Sequence, residues 1–349
     1  MGRMGASRRQ FGCNSESFSI SLPCQQNSDT PPCCKNSRKN AWPSLPSLQS
    51  NWRERRPPFR WAFACSMAFS DVVVAPAWEE GILLVDINNP QATSWVPLED
   101  VRGELVHYAP HETGEERGDV LEELADAVVL GLRDYCQKSG IERIVLGLSG
   151  GIDSAVAACV AAQAVGAENV LGISMPSRFS SQHSIDDAKH TAEALGMEYA
   201  SISIDQHHAS LEQHLSEMLE HGAKVAQENI QARLRGILVM AHANAQGRMA
   251  IATGNKSELA QGYCTLYGDM AGGYTPLGDV YKMEVYGLAE VFNRRAIAQG
   301  REPPVNDSTL TKPPSAELAP NQRDDDTLPP YETLDSILKY HIEQGLGAE

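Results

Sequence analysis

Ser149, Gly150, Gly151, Asp153 and Ser154 are the residues of this 349-residue chain whose types and spacing most clearly serve chemistry. They lie in the run IVLGLSGGIDS (144–154), between an apolar, β-branched stretch and an alanine-rich segment at 155–164. A strand that turns sharply into a helix leaves the first helical N–H groups unpaired, and the helix dipole adds partial positive charge at the same place. Such a turn is a ready phosphate site. The glycines let the backbone approach the oxygens closely, and the two serines add hydroxyl donors. No Gly-Lys-Ser/Thr follows, so this is not a Walker loop. A bare glycine pair would suggest only a tight turn; the six residues 149–154 in this setting predict a phosphate cradle.

Three later segments follow the same logic of polar groups at strand ends. IATGNKSE (251–258) leaves a buried strand and offers Thr253, Lys256 and Glu258. A lysine there can neutralise phosphate as a point charge, and Glu258 with Asp153 could share Mg2+. The same residues would also serve as a simple helix cap, through Ser257 and Glu258. GYCTLYGDMAGGYTPLGDVYK (262–282) is a loop with five glycines, too long and too aromatic to be idle. It ends at Lys282, either a phosphate ligand or a solvated lysine. ENIQARLR (228–235) places Asn229 and Arg233 on one helix face, with Arg235 beside them, as cleft residues or as a charged surface. PSAELAP (314–320), followed by Gln322 and the acidic run 324–326, is a lid or an acidic surface loop.

The elements that must hold these groups follow from periodicity. Helix 119–136 has apolar residues on one face. Strand 143–148, helix 153–165, strand 169–175, helix 182–195 and strand 199–204 come next. Helices 208–220 and 223–245, strand 248–253, helix 281–295 and helix 331–343 complete the series, with a Gly-rich loop at 261–279 and a Pro/Asp-rich loop at 302–330. Strands alternating with helices predict an α/β fold, a Rossmann-like parallel sheet with helices on both faces. Ligands in such sheets bind beyond the strand C-termini. Upstream, 61–86 suggests short strands with a turn, and 87–113 a polar connector.

Bulk properties exclude some classes. A net charge of −16 argues against non-specific nucleic-acid binding. It conceals an asymmetry, since residues 1–70 hold ten Lys/Arg against three Asp/Glu. No apolar stretch reaches transmembrane length. Five of the eight cysteines (Cys13, Cys24, Cys33, Cys34, Cys65) fall in that basic segment, and Cys33-Cys34 does not have zinc-site spacing. The composition suits a cytoplasmic enzyme with reduced thiols.

Together the motifs LGLSGGIDSA, MPSRFSS, ENIQARLRG, TGNKSE, GYCTLYGDMAGGYTPLGDVYK and PSAEL…LPPY resemble the NAD+ synthetase family, in particular the synthetase domain of its bacterial glutamine-dependent members. The resemblance runs from about residue 115 to 343. The first motif is shared across the ATP pyrophosphatase superfamily; the later ones separate the chain from GMP synthetase, asparagine synthetase and tRNA-modifying relatives. The resemblance implies an adenine nucleotide alpha-hydrolase-like fold and amidation of deamido-NAD+ through an adenylated nicotinate, with ATP and Mg2+ as cofactors. It implies that Gly147, Leu148, Ser149, Gly150, Gly151, Ile152, Asp153 and Ser154 hold ATP phosphates, and that Asp153 also binds Mg2+. Thr253 would contact ATP, Glu258 Mg2+ or deamido-NAD+, and Asn229 deamido-NAD+. Lys256 and Lys282 would be phosphate ligands. A homodimer is implied, with ammonia or glutamine as nitrogen source and no nucleic-acid or membrane partner.

Two departures complete the expectation. The family carries an N-terminal nitrilase-like glutaminase; here 61–114 resembles a remnant of it plus a linker, and 1–60 is expected to be disordered or foreign to the fold. The family also continues into a basic tail with a lysine on deamido-NAD+, whereas this sequence stops at Glu349. The competing expectations are a nucleotide-binding fragment with impaired catalysis and another adenylating amidotransferase.

Overall fold

The computed structural model describes residues 64–66, 72–74, 81–84, 94–97, 119–219, 224–320 and 322–347. The expectation for 1–60 lies outside them, as does most of that for 61–114. Within the latter, β1 (Ala64–Ser66) pairs antiparallel with β2 (Val72–Val74), and β3 (Gly81–Leu84) with β4 (Ser94–Pro97). β4 corrects the reading of 87–113 as a polar connector. Trp95-Val96 carries strand propensity inside a stretch whose average composition is polar.

From residue 119, helices and strands alternate as the periodicity predicts. Helix α1 (Val120–Ser139) is capped by Asp119, whose carboxylate accepts from the Leu121 N–H at 3.1 Å, and it ends at left-handed Gly140. It buries Ala125, Val129, Leu132 and Cys136 on one stripe. Strands β5 (Ile144–Gly147), β6 (Val170–Ser174), β7 (Glu198–Ser201) and β8 (Met249–Ala250) form one parallel sheet in the order β7-β6-β5-β8. Between them run α2 (Ile152–Val165), α3 (Gln182–Leu195), α4 (Asp205–His214), α5 (Ser216–Leu219) and α6 (Lys224–Gln246). After β8 come α7 (Lys256–Gln261), α8 (Lys282–Ala298), α9 (Asp307–Thr311) and α10 (Tyr331–Leu338).

Successive strand residues point to opposite faces, so the sheet has two cores. Ile144 and Leu146 pack with α1, α2 and α8, while Val145, Leu171 and Ile173 pack with Val239 and Ala243 of α6. Burial on both faces explains why these strands are continuous apolar runs. Helix α2 is the most enclosed: ten of its fourteen residues are buried, so it is apolar all round, without an amphipathic stripe.

Boundaries differ where tertiary contacts override local pattern. β8 covers two residues of the predicted 248–253, because beyond Ala250 the chain bonds to the Gly-rich loop: Gly273 N–H donates to Ala250 O and Ala252 N–H to Tyr274 O. The helix predicted at 208–220 is two, α4 and α5, with a break at Leu215. The last helix is regular only to Leu338 and continues as a wider π turn (Lys339–Glu343). Among the described residues no helix is long and apolar enough to cross a membrane.

Candidate active site

From β5 the chain moves outward to β6 and β7, then returns past β5 to β8. Beyond the C-terminal ends of neighbouring strands that diverge in this way, a crevice opens. A cavity of about 390 Å3 occupies it, lined by Gly147, Leu148, Ser149, Gly151, Ile152, Asp153 and Ser154 on one wall and by Thr253 and Glu258 on another.

The 149–154 loop is wound tightly on its own serines. The Gly151 N–H donates to Ser149 Oγ at 3.1 Å, the Ser149 N–H to Ser154 Oγ at 3.2 Å, and the Ser154 hydroxyl to Gly151 O at 2.9 Å. Gly150 has φ +78°, and a Cβ there would meet the Ser184 carbonyl oxygen at 2.0 Å; only glycine fits. No side chain caps α2, so its first-turn amides remain for a ligand.

Beside the loop, two carboxylates converge on one ammonium. Lys282 Nζ donates to Asp153 Oδ2 at 2.6 Å and to Glu258 Oε1 at 3.2 Å. Its side chain is 2% exposed, which removes the alternative of a solvated lysine. Burial would lower its pKa, but Asp153 and Glu258 outweigh that and raise it, so the ammonium stays charged. Burial, and then the Asp153 charge, raise the Glu258 carboxyl above its ordinary value. Asn255 ties the cluster together: its amide donates to Asp153 Oδ1 at 2.8 Å, and it forms a capping box with Glu258 at the start of α7. Glu258 thus serves both cap and site, while the other cap residue is Asn255 rather than Ser257, whose hydroxyl is taken by Lys282 N–H and Asp335. The donor set suits Mg2+, which takes one or two carboxylates and completes its shell with phosphate and water.

The structure does not bring every predicted residue to this cavity. Lys256 points away and is held by Asp279 at 2.6 Å and Glu343 at 2.7 Å. Asn229 also lies off the cavity wall, accepting the Thr265 hydroxyl at 2.8 Å. The neighbouring Arg235 does reach it. Its Nε donates to Met175 O at 3.0 Å, and burial lowers its pKa to about 10 against the pull of Glu317 and Asp205.

Other lining groups had no clear assignment in the sequence. Asp324, within a run that suggested a surface loop, is buried and accepts the hydroxyls of Tyr263 at 3.2 Å and Tyr331 at 3.0 Å. Glu317 of the 314–320 loop accepts from the hydroxyls of Ser181 at 3.0 Å and Ser184 at 2.8 Å, which holds that loop along the cavity wall. Cys264 lines the cavity as a free thiol whose pKa is raised by burial and then by Asp269 and Glu258. Cys136 and Cys159 are free and buried.

The sequence model of the NAD synthase family matches residues 124–349. The glutamine-dependent NAD(+) synthetase of Rhodobacter capsulatus is 46% identical over 282 residues, covering 78% of this chain and 48% of that protein. The chain thus spans about half the length of such curated relatives, or less. Among solved structures, the glutamine-dependent NAD+ synthetase of Acinetobacter baumannii with ADP superposes with a TM-score of 0.58 at 35% identity, over 79% of this chain and 46% of that one. The NMN synthetase of Francisella tularensis gives 0.56 at 30% identity, over 66% of this chain and 88% of that one.

Proposed function

This chain belongs to the NAD synthase family, and on that premise we propose that it amidates deamido-NAD+ at the expense of ATP. The nicotinate carboxylate attacks the α-phosphorus and pyrophosphate leaves. Ammonia then attacks the resulting acyl-adenylate carbonyl, AMP leaves, and the new amine loses a proton to give the amide of NAD+.

The observation that carries this reading is the convergence of the uncapped α2 turn with the Asp153–Lys282–Glu258 cluster in one crevice. The first step concentrates negative charge on a leaving pyrophosphate. It needs oriented N–H groups and cations more than an acid–base pair. The α2 amides and the Ser149 hydroxyl bind the phosphates, Ser154 holds the loop in shape through its bond to Gly151 O, and Lys282 supplies a buried positive charge. Asp153 and Glu258 would hold Mg2+, which neutralises phosphate charge when bound. Thr253 and Arg235 lie on the walls available to the nucleoside.

The reading extends to a homodimer. Ile237 and Met240 of α6 are exposed, and beside them Leu266 and Tyr267 are 62% and 83% exposed. Tyr267 holds φ +62°, a conformation that costs a non-glycine residue energy. A second copy covering this apolar face would account for both features.

The test is incubation of the full chain with ATP, Mg2+, deamido-NAD+ and either ammonium chloride or glutamine, measuring NAD+ and AMP. Equal NAD+ and AMP with ammonia is the expected result. A folded sample that releases no AMP with either donor refutes the reading, in favour of a nucleotide-binding fragment.

A further inference from the structure

Helix α8 begins at Lys282, but Tyr281 offers it no side-chain cap. Its first two amides are taken by other elements. The Lys282 N–H donates to Ser257 Oγ at 2.9 Å, and the Met283 N–H donates to Asp335 Oδ2 at 2.8 Å. The Ser257 hydroxyl in turn donates to Asp335 Oδ1. Ser257, Lys282 and Asp335 are 0%, 2% and 3% exposed. One turn before Asp335, on the same face of α10, Tyr331 places its ring 5.1 Å from Lys282 Nζ. α10 therefore holds Lys282 at both ends, the backbone indirectly through Asp335 on Ser257 and Met283, and the ammonium through Tyr331.

We propose that Asp335, acting through Ser257, is a positioning residue for Lys282 in the adenylation step, an inference that rests on the function proposed above. When phosphate enters, the Lys282 ammonium must serve phosphate oxygens as well as Asp153 and Glu258. It sits at the tip of a flexible four-carbon stem, so its accuracy depends on where the backbone starts. Asp335 fixes that origin by capping α8 from outside, with its two oxygens taken by Ser257 and Met283 and no part in the cavity lining. A misplacement of about 1 Å at a group of this kind lowers turnover on the order of 100-fold.

The test uses the full chain with Asp335→Asn, Ser257→Ala, Lys282→Gln and the double variants, each checked for folding by its melting curve. Expected are a kcat roughly 10- to 100-fold lower for Asp335→Asn and Ser257→Ala, with KM for ATP changed by less than about threefold. In the Lys282→Gln background, Asp335→Asn should add less than about a twofold loss. Losses that multiply in the double variant would make Asp335 a stability residue only and overturn the proposal. Should Lys282→Gln fail to fold, the serine decides: Ser257→Ala at wild-type turnover overturns the proposal. If the wild type itself makes no AMP, the proposed function fails instead. The inference is then judged by MgATP calorimetry, where Asp335→Asn must change the binding enthalpy with Lys282 present and not in its absence; an unchanged enthalpy overturns it.

Discussion

Gly150→Ala isolates the demand that the phosphate loop makes on backbone shape. Its φ of +78° costs an alanine about 1–2 kcal/mol, as in any left-handed position. The new methyl would also lie 2.0 Å from the Ser184 carbonyl oxygen and 2.7 Å from its carbon. Both are backbone atoms of α3, so no side chain can swing aside. The loop or the start of α3 must shift by about 1 Å, an overpacking cost of about 1–3 kcal/mol. The sum, about 2–5 kcal/mol, lowers the melting temperature by roughly 4–20 °C for a domain of this size. Gly140→Ala is the control: φ is +66° with nothing within 4 Å of its Cβ, so it loses only the strain term. Scanning calorimetry of both variants, with MgATP titration of each, reads the difference. Gly150→Ala should melt below Gly140→Ala and bind ATP at least about tenfold more weakly. Equal melting of the two, with ATP binding intact in Gly150→Ala, would refute the argument that α3 and the loop are in forced contact.

Lys282→Met leaves Asp153 and Glu258 facing each other without their cation, at about 3–5 kcal/mol; added Mg2+ should raise its melting temperature more than the wild type's, and an equal response would refute the shared-cation geometry. Burial would raise the Asp187 carboxyl, but Asn306, Lys312 and Ser308 outweigh it and hold the group below its ordinary value. Its stabilisation is thus present above the unfolded pKa of about 3.9 and lost as pH falls through the lower folded value. In urea titrations the stability gap between wild type and Asp187→Asn should be constant near neutrality and close below about pH 3.9; a gap that persists there counts against it. Tyr267→Gly relieves a left-handed tyrosine, stabilising the monomer by about 1 kcal/mol while weakening self-association. Unchanged sedimentation of this variant would remove the proposed dimer face.

The phosphate loop was legible because its demands are local: a glycine with positive φ, two serines within five residues and a helix start. Helix 182–195 was predicted to the residue for the same reason, with Ser181 capping one end and left-handed Gly196 closing the other. Lys282 could not be placed from sequence, since its partner Asp153 lies 129 positions away and they meet only when α8 docks against α2. Lys256 shows a different limit. It shares a motif with Glu258, yet residues two apart point to opposite sides of a helix, so one reaches the cavity and the other reaches Glu343. The acidic run 324–326 suggested a solvated surface; Asp325 and Asp326 are exposed, while Tyr263 and Tyr331 draw Asp324 inside. Asp335 carried no motif, although a carboxylate four residues after Tyr331, between buried Leu334 and Leu338, marks a charge that must find donors.

Helix α2 carries the phosphate loop at one end and is walled in along most of its length. Its unpaired first-turn amides open onto the cavity, but the hydrogen-bonded amides of its enclosed body should exchange only when the packing around them opens, so the nucleotide cradle is mounted on a slowly exchanging unit. The 314–320 segment on the opposite wall is fastened differently, to α3 by side-chain hydrogen bonds such as those of Glu317. The two walls of the site should therefore differ in hydrogen exchange, slow along the body of α2 and faster along the side-chain-tethered 314–320 loop.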